Sequence, residues 1–505
     1  MSPRRKSGAE EGEPLLKRHP EATNDPLDPL NFSKLEKWTC LAIVMYLYFL
    51  FTYITTTTVP SFPQLQEDLD ISYAEVNWTV AIPALGLTIG PLLWSSLADI
   101  YGRRMVFIVG TSMALVSTVW AAVVRDYEAY MAARFFQGLG VSPGATVGMA
   151  IINDLFFEHE RGQKFGLWVL ALDLGLVVGP LVGGFVTLLG QSWVQWVTAI
   201  LLACLLLLEI FFLPETLYPR RLMLSRNWSR QASSASQRRP ASGDSVSTST
   251  ALDLPRTRNL PFLMLTPIPG VRHPKLWDPF VRTAKTFLYP NVSVPIVAYC
   301  FLWYWWVLSV VTYIPAAYPI YAPHVQGLFF LGLIVGTLFS ETFCSGSVSD
   351  KIMQRHAMKN NNKMIPEARL WLAYPACVMT SVGLCLWGVS VDQNLHWMVG
   401  QSAFFLFAAG IQMGNTCFSS YIVDCYPFHG MSMVTFYSVI LNLSAFINPF
   451  FIAYWVEAVG YSWAFSTQAL ITLIMIPVVF VLQRYGGSWR EKVGEPDWVS
   501  SEYTT

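Results

Sequence analysis

Long apolar runs, each closed by a short polar interval, set the organisation of this chain. Twelve of them reach the roughly 20 residues a helix needs to cross a hydrocarbon layer. They fall at 38–58, 77–97, 105–124, 130–152, 166–189, 193–213, 291–317, 325–345, 369–389, 397–420, 431–454 and 462–482. The first follows Lys34-Leu35-Glu36-Lys37. It lies too far from Met1, and is too long, for a cleaved signal peptide. An even number of passes puts both ends of the chain on one side of a membrane.

Composition fits this pattern. Of 505 residues, 53% are hydrophobic and only 13% charged, about half the charge of a soluble domain. The net charge is zero, so there is no field to attract a nucleic acid. The eight cysteines lie in or beside apolar runs without metal-type spacing and read as small packing residues. Neither a metal site nor a cofactor is expected. No hydrolase triad, Walker loop or redox motif appears, so an enzyme is not expected either.

Basic residues set the orientation. Of 33 Lys and Arg, only Arg125 and Arg134 fall outside the tails, the even-numbered loops and their membrane edges. The interval between spans one and two carries Glu67, Asp68, Asp70 and Glu75 and no basic residue. Positive charge gathers on the cytosolic side, so both tails are expected in the cytosol. The stretch 231–250 is Ser-rich with scattered Arg, the composition of a linker. The predicted organisation is an unpacked N-tail (1–37), a six-helix bundle (38–213), a central loop (214–290), a second bundle (291–482) and a C-tail (483–505).

The two bundles are related by an internal repeat. Ser95-Ser96-Leu97-Ala98-Asp99-Ile100-Tyr101-Gly102-Arg103-Arg104 follows span two, and Gly346-Ser347-Val348-Ser349-Asp350-Lys351 follows span eight, with the two aspartates 251 positions apart. Two six-span halves of like orientation imply a pseudo-two-fold axis along the membrane normal and a site between the halves.

These residues carry a resemblance. Leu97 to Arg104 resembles the loop signature of the major facilitator superfamily, with Ser95 in place of its leading glycine. Arg134-Phe135-Phe136-Gln137-Gly138 in span four is similar to a second pattern of that family. Gly175-Leu176-Val177-Val178-Gly179-Pro180-Leu181-Val182-Gly183-Gly184 in span five resembles the element of its drug:proton antiporter branch. Asp28-Pro29-Leu30-Asn31-Phe32, Pro214-Glu215-Thr216 and Pro366-Glu367-Ala368-Arg369-Leu370 are similar to fungal members. The resemblance implies an all-α polytopic membrane protein with the major facilitator fold, two six-helix bundles and twelve transmembrane helices. It also implies a monomer that exchanges a small-molecule substrate for protons across a fungal plasma membrane.

Each motif has a physical reading. Asp99, Gly102, Arg103 and Arg104 sit at one mouth, with Asp154 and Glu158 as natural partners for the arginines and Asp350 as the counterpart in the second half. Ion pairs there can close in one state and break in another. Gly175, Gly179 and Gly183 repeat every four residues and line one helix face, letting another helix approach. Pro180 removes a backbone donor, and with Gly184 the stripe is expected at the interface between halves. Arg134, inside span four, must face polar groups rather than lipid. Asp173 in span five is the proton-carrier candidate, too far along the axis to pair with Arg134; Glu341 and Asp424 are weaker ones. Tyr53, Gln137, Trp305, Gln412, Asn415 and Asn442 are the tentative substrate contacts, in a cavity with many rings and few charges. The first rival reading is a proton-coupled importer of an organic cation such as a polyamine. The second is a nutrient sensor that does not transport.

Overall fold

The computed structural model describes residues 25, 28–218, 275–359, 365–426 and 429–496. Residues 1–24, the stretch 231–250, the chain beyond 496 and the side chains of Glu158 and Asp350 lie outside these described residues.

Helix starts follow the caps more closely than the apolar runs. Ser33 Oγ accepts from the Glu36 N–H at 3.3 Å, and the Glu36 carboxylate accepts from the Ser33 N–H at 2.8 Å. This capping box starts span one at Lys34, and the helix runs Lys34–Thr56. The same device at Ser72 and Glu75 starts span two, Tyr73–Tyr101. At 1.5 Å per residue, its 29 residues exceed the hydrocarbon core by about half, so its ends reach the headgroup layers. Upstream, Asp28 caps the 3₁₀ turn Pro29–Asn31, and Leu30 and Phe32 are buried. The N-tail, expected unpacked to residue 37, is therefore packed from residue 28.

Spans three to six are Arg103–Val123, Tyr127–Val141 continuing as Pro143–Leu155, Glu158–Val186 and Gln191–Phe212. An amphipathic helix, Asp278–Thr286, precedes span seven. Sequence analysis left it inside the central loop. Its Val281 is half exposed, as are Trp277 and Phe287 at its ends, a rim that suits the membrane interface. Span seven runs from Pro290 to Ala317 through a π-helical segment, Tyr299–Tyr304. Span eight runs from Pro323 through a second one, Ser340–Ser345, into Gly346–Lys359. Spans nine and ten are Pro366–Asp392 and Trp397–Cys425.

The last two spans run in one stretch, Gly430–Leu473, followed by Met475–Val493. Gly460 breaks it, with φ +78° and ψ 170°, a conformation that side-chain-bearing residues avoid. The chain reverses there. Phe436 meets Phe287 and Tyr461 meets Tyr313, so this arm runs parallel to span seven. Phe465 meets Trp387 and Thr472 meets Cys377, so the following arm runs antiparallel to span nine. Asp392, the last residue of span nine, accepts from the Ser462 N–H at 2.7 Å and holds the turn. Counted this way, twelve passes are present among the described residues.

The two six-helix halves meet along two seams. Span two packs against span eleven, with Trp78 against Phe450 and with Ser96 and Met431 lining one small cavity, and its Tyr73 meets Tyr313 of span seven. Span five packs against span eight, with Gly184 against Gly327 at one end and Gly166 beside Glu341 at the other. Contact at both ends closes the molecule at the face that carries the described chain ends, called the tail face below, and at the opposite, far face.

Candidate functional site

At the tail face, Gly102 has φ +102°, which lets span three start at once after span two. A side chain there would also strike the Glu215 carboxylate. Glu215 takes that space and accepts from the Arg103 and Arg104 N–H groups at 2.9 and 3.2 Å. These N–H groups have no acceptor within their own helix turn, and negative charge is favoured at such an N-terminus. The Arg103 side chain pairs with Asp99 at 3.0 Å and Asp154 at 3.4 Å. Arg104 instead donates to the Ile210 carbonyl at 2.8 Å. All of these contacts lie within the first half. The Ser96 hydroxyl donates to the Lys275 carbonyl of the central loop at 3.2 Å. The second half has an analogous pair, Arg369 and Asp424 at 2.5 Å, backed by Arg490 and Glu367 at 3.3 Å.

Arg134 is fully buried, and among the described residues its hydrogen bonds go to no carboxylate. Its donors go to the carbonyls of Ile54 (2.7 Å), Thr79 (3.2 Å) and Thr55 (3.4 Å) and to Gln137 Oε1 (2.7 Å). Gln137 passes the network on to Thr118 and Gln195, and Gln195 to Tyr130. One guanidinium thus ties spans one, two and four together, and Gln137 lies inside this network, away from the central cavity.

The glycine stripe of span five faces span one. A Cβ at Gly175, Gly179 or Gly183 would run into Phe49, Thr56 or Thr57. Sequence analysis placed the stripe at the interface between halves; three of its four glycines instead seal the first half. Only Gly184 crosses over, its added Cβ meeting the Pro323 carbonyl at 2.6 Å. Pro180 has no N–H for the Leu176 carbonyl one turn back. The Thr56 hydroxyl takes that carbonyl at 2.9 Å, and Thr52 takes Leu172 at 2.6 Å.

Between the halves a polar cluster forms. Asn415 of span ten donates to both carboxylate oxygens of Asp173, at 3.2 and 3.0 Å, and accepts from the Tyr437 hydroxyl. The Tyr304 side chain also lies close to Asp173. One turn away, Glu341 accepts from Gln412 at 2.9 Å and Thr416 at 3.1 Å. Tyr304 and Glu341 both sit in π-helical segments, where one extra residue per turn redirects side chains. Beside the cluster lies a small cavity that includes Phe51, Leu87, Leu176, Tyr304, Leu441 and Asn442 in its lining.

Of the tentative substrate residues, Asn442 lines this cavity, while Asn415 and Gln412 belong to the adjoining cluster. Tyr53 is buried in the first half beside Phe49 and Gly179, and Trp305 packs on Trp306 and Phe451. Sequence reasoning passed over Glu209, fully buried in span six and accepting from Thr111 at 2.8 Å. A lone carboxylate in an apolar run was the available signal. No cluster of three or more metal-ligating residues occurs among the described residues.

The model of the Major Facilitator Superfamily matches residues 44–435. The MFS transporter cpaT of Aspergillus oryzae is 27% identical over 497 residues, covering 95% of each chain. The efflux pump radE of Floropilus chiversii is 26% identical over 475 residues, covering 92% of this chain and 83% of its own. Among solved structures, the xylose transporter XylE from E. coli in a partially occluded inward-open conformation superposes with a TM-score of 0.62 at 14% identity. That match covers 90% of this chain and 98% of that one. The human organic anion transporter MFSD10 gives 0.59 at 16% identity, covering 88% and 99%. Both likenesses speak to the fold.

Proposed function

The chain belongs to the Major Facilitator Superfamily and is a transporter, not an enzyme; on that premise we propose that it exports small organic compounds in exchange for protons. Drugs or secondary metabolites are the cargo class, and alternating access is the mechanism. The observation that carries this reading is the Asp173–Asn415 contact. A carboxylate of one half holds an amide of the other beside the cavity, so whatever changes its charge changes how firmly the halves are joined. Protonation removes the charge that makes such a hydrogen bond strong and loosens the seam. Relatives named as efflux pumps, radE and the probable efflux pump mfs2 of Aspergillus flavus, support the outward direction.

In this reading the protein is a plasma-membrane monomer with the tail face in the cytosol. The first six and last six spans are its two moving bodies, joined by the central loop. The test is flux in inside-out vesicles with an imposed pH gradient. Uptake of a labelled efflux substrate is expected to rise when the lumen is acidic and to collapse with a protonophore. Uptake that ignores the gradient overturns the coupling.

Asp99, Arg103 and Asp154 form the tail-face latch, with Arg104, Gly102 and Glu215 holding its frame. Asp99→Asn keeps the shape but removes one charge from Arg103. Transport is expected to fall by about tenfold, the loss of one charge-assisted contact, at normal surface level. Wild-type flux in this variant would reduce the signature to a topological signal.

A further inference from the structure

We infer that Glu209 is a proton-binding site separate from Asp173, and that as the neutral acid it joins span six to span three beneath the tail-face arginines. Glu209 has no exposed surface. Leu205 to Leu208 precede it and Ile210, Phe211 and Phe212 follow. Its hydrogen bond among the described residues is to the Thr111 hydroxyl of span three, which donates to Oε1 at 2.8 Å. Oε2 has no partner among the described residues. Charged and titratable groups on the helices packed against span six are engaged elsewhere. In span three, Arg103 pairs with Asp99 and Asp154, and Arg104 donates to the Ile210 carbonyl. In span one, Glu36 closes the capping box, Lys37 donates to the Leu30 carbonyl and Tyr46 to the Leu201 carbonyl. In span five, Lys164 lies over the Trp38 ring at 3.9 Å and Asp173 meets Asn415.

An ionised carboxylate presents about four lone-pair sites, and Thr111 supplies one hydroxyl. A charge so poorly met is costly inside a membrane-spanning helix. The neutral acid buries no charge, and its carbonyl oxygen is served by the Thr111 hydroxyl. The proton therefore belongs on Oε2, the oxygen that accepts from nothing else described. Spans three and six are joined at three levels. Glu215 holds the Arg103 and Arg104 N–H groups, the Ile210 carbonyl holds the Arg104 side chain, and Glu209 holds Thr111. Glu209 is the deepest of the three and directly precedes Ile210. A charge that drew it toward water would pull the Ile210 carbonyl from Arg104. Both spans belong to the first half, so Glu209 lies off the seam where Asp173 meets Asn415. It plays this part whether or not Asp173 carries the transported proton.

The test is infrared spectroscopy of the purified full chain at neutral pH in dodecyl maltoside, a detergent with no carbonyl of its own. A protonated carboxyl has a C=O stretch that a carboxylate lacks. The unaltered protein is expected to show this band and Glu209→Gln to lose it, while Asp173→Asn leaves it in place. Thr111→Val removes the hydrogen bond to Oε1 and should move the band to higher frequency. Glu209→Gln can still accept from Thr111, so its melting temperature should lie above that of Glu209→Ala. Loss of a carboxylate stretch in Glu209→Gln, in place of the carboxyl band, overturns the proposal. So does a carboxyl band that Thr111→Val leaves unmoved, or a Gln variant that melts as low as the Ala variant. If Glu209→Gln yields no folded protein, Thr111→Val decides alone: a shifted carboxyl band supports the neutral acid, and its absence overturns it. No gradient is present, so failed coupling at Asp173 would appear only in vesicle flux and leave these spectra untouched.

Discussion

Asp173→Asn is expected to reduce gradient-driven transport to the level measured without a pH gradient, while exchange of substrate across the membrane continues. The substitution is nearly isosteric. Its carbonyl can still accept from Asn415, now held by bonds at 3.2 and 3.0 Å, so assembly of the halves is preserved. What disappears is a group able to carry a proton between the two faces. Counterflow of a labelled substrate, beside pH-driven uptake in the same vesicles, separates the two functions. Undiminished gradient-driven uptake would move the proton site elsewhere. Glu341→Gln would be next, because Glu341 shares span ten's polar face through Gln412 and Thr416.

The second large effect is structural. Gly183→Ala adds one methyl group, yet its Cβ would overlap the Thr57 carbonyl of span one. The obstacle is backbone and cannot rotate away. Overpacking of this kind costs on the order of 3 kcal/mol, a large part of a domain's stability. The expected outcome is a steep fall in membrane-inserted protein, read by detergent-solubilised yield and melting temperature. Gly430→Ala is the control, since its nearest neighbour to an added Cβ is 3.6 Å away. It should match the unaltered protein. Equal yields for the two variants would show that spans one and five can separate at little cost.

Much of this architecture is legible in one dimension. Apolar run length is set by the thickness of a bilayer, so all twelve passes could be located from it. The ends could not, because Ser33, Glu36, Ser72 and Glu75 start two helices by local hydrogen bonds. The turn at Gly460 was hidden for the opposite reason: one residue does the work of the expected loop of about seven. A repeat of glycines every four residues identifies a helix face but not what lies against it. The stripe in span five was therefore correctly grouped and wrongly addressed. Asp173 and Asn415 each stood out as polar residues in apolar runs. Their meeting depends on two halves 242 positions apart in sequence and on a fold no local pattern encodes. Both π-helical segments were invisible for a related reason, as they arise from packing rather than from propensity.

The bond from Asp392 to Ser462 has a mechanical consequence. A one-residue reversal at Gly460, pinned by a side chain from span nine, leaves spans nine, eleven and twelve no slack at the far face. Parts without slack cannot pivot against each other, so these three travel as a plate. Spans seven and eight are different, because each has a π-helical segment where the regular ladder of backbone bonds is interrupted. Spans seven and eight carry Tyr304 and Glu341 in those interrupted segments. Under the proposed alternating access, the second half would work as a stiff plate with two bending levers, and the levers are the elements that lie against Asp173 and the polar face of span ten.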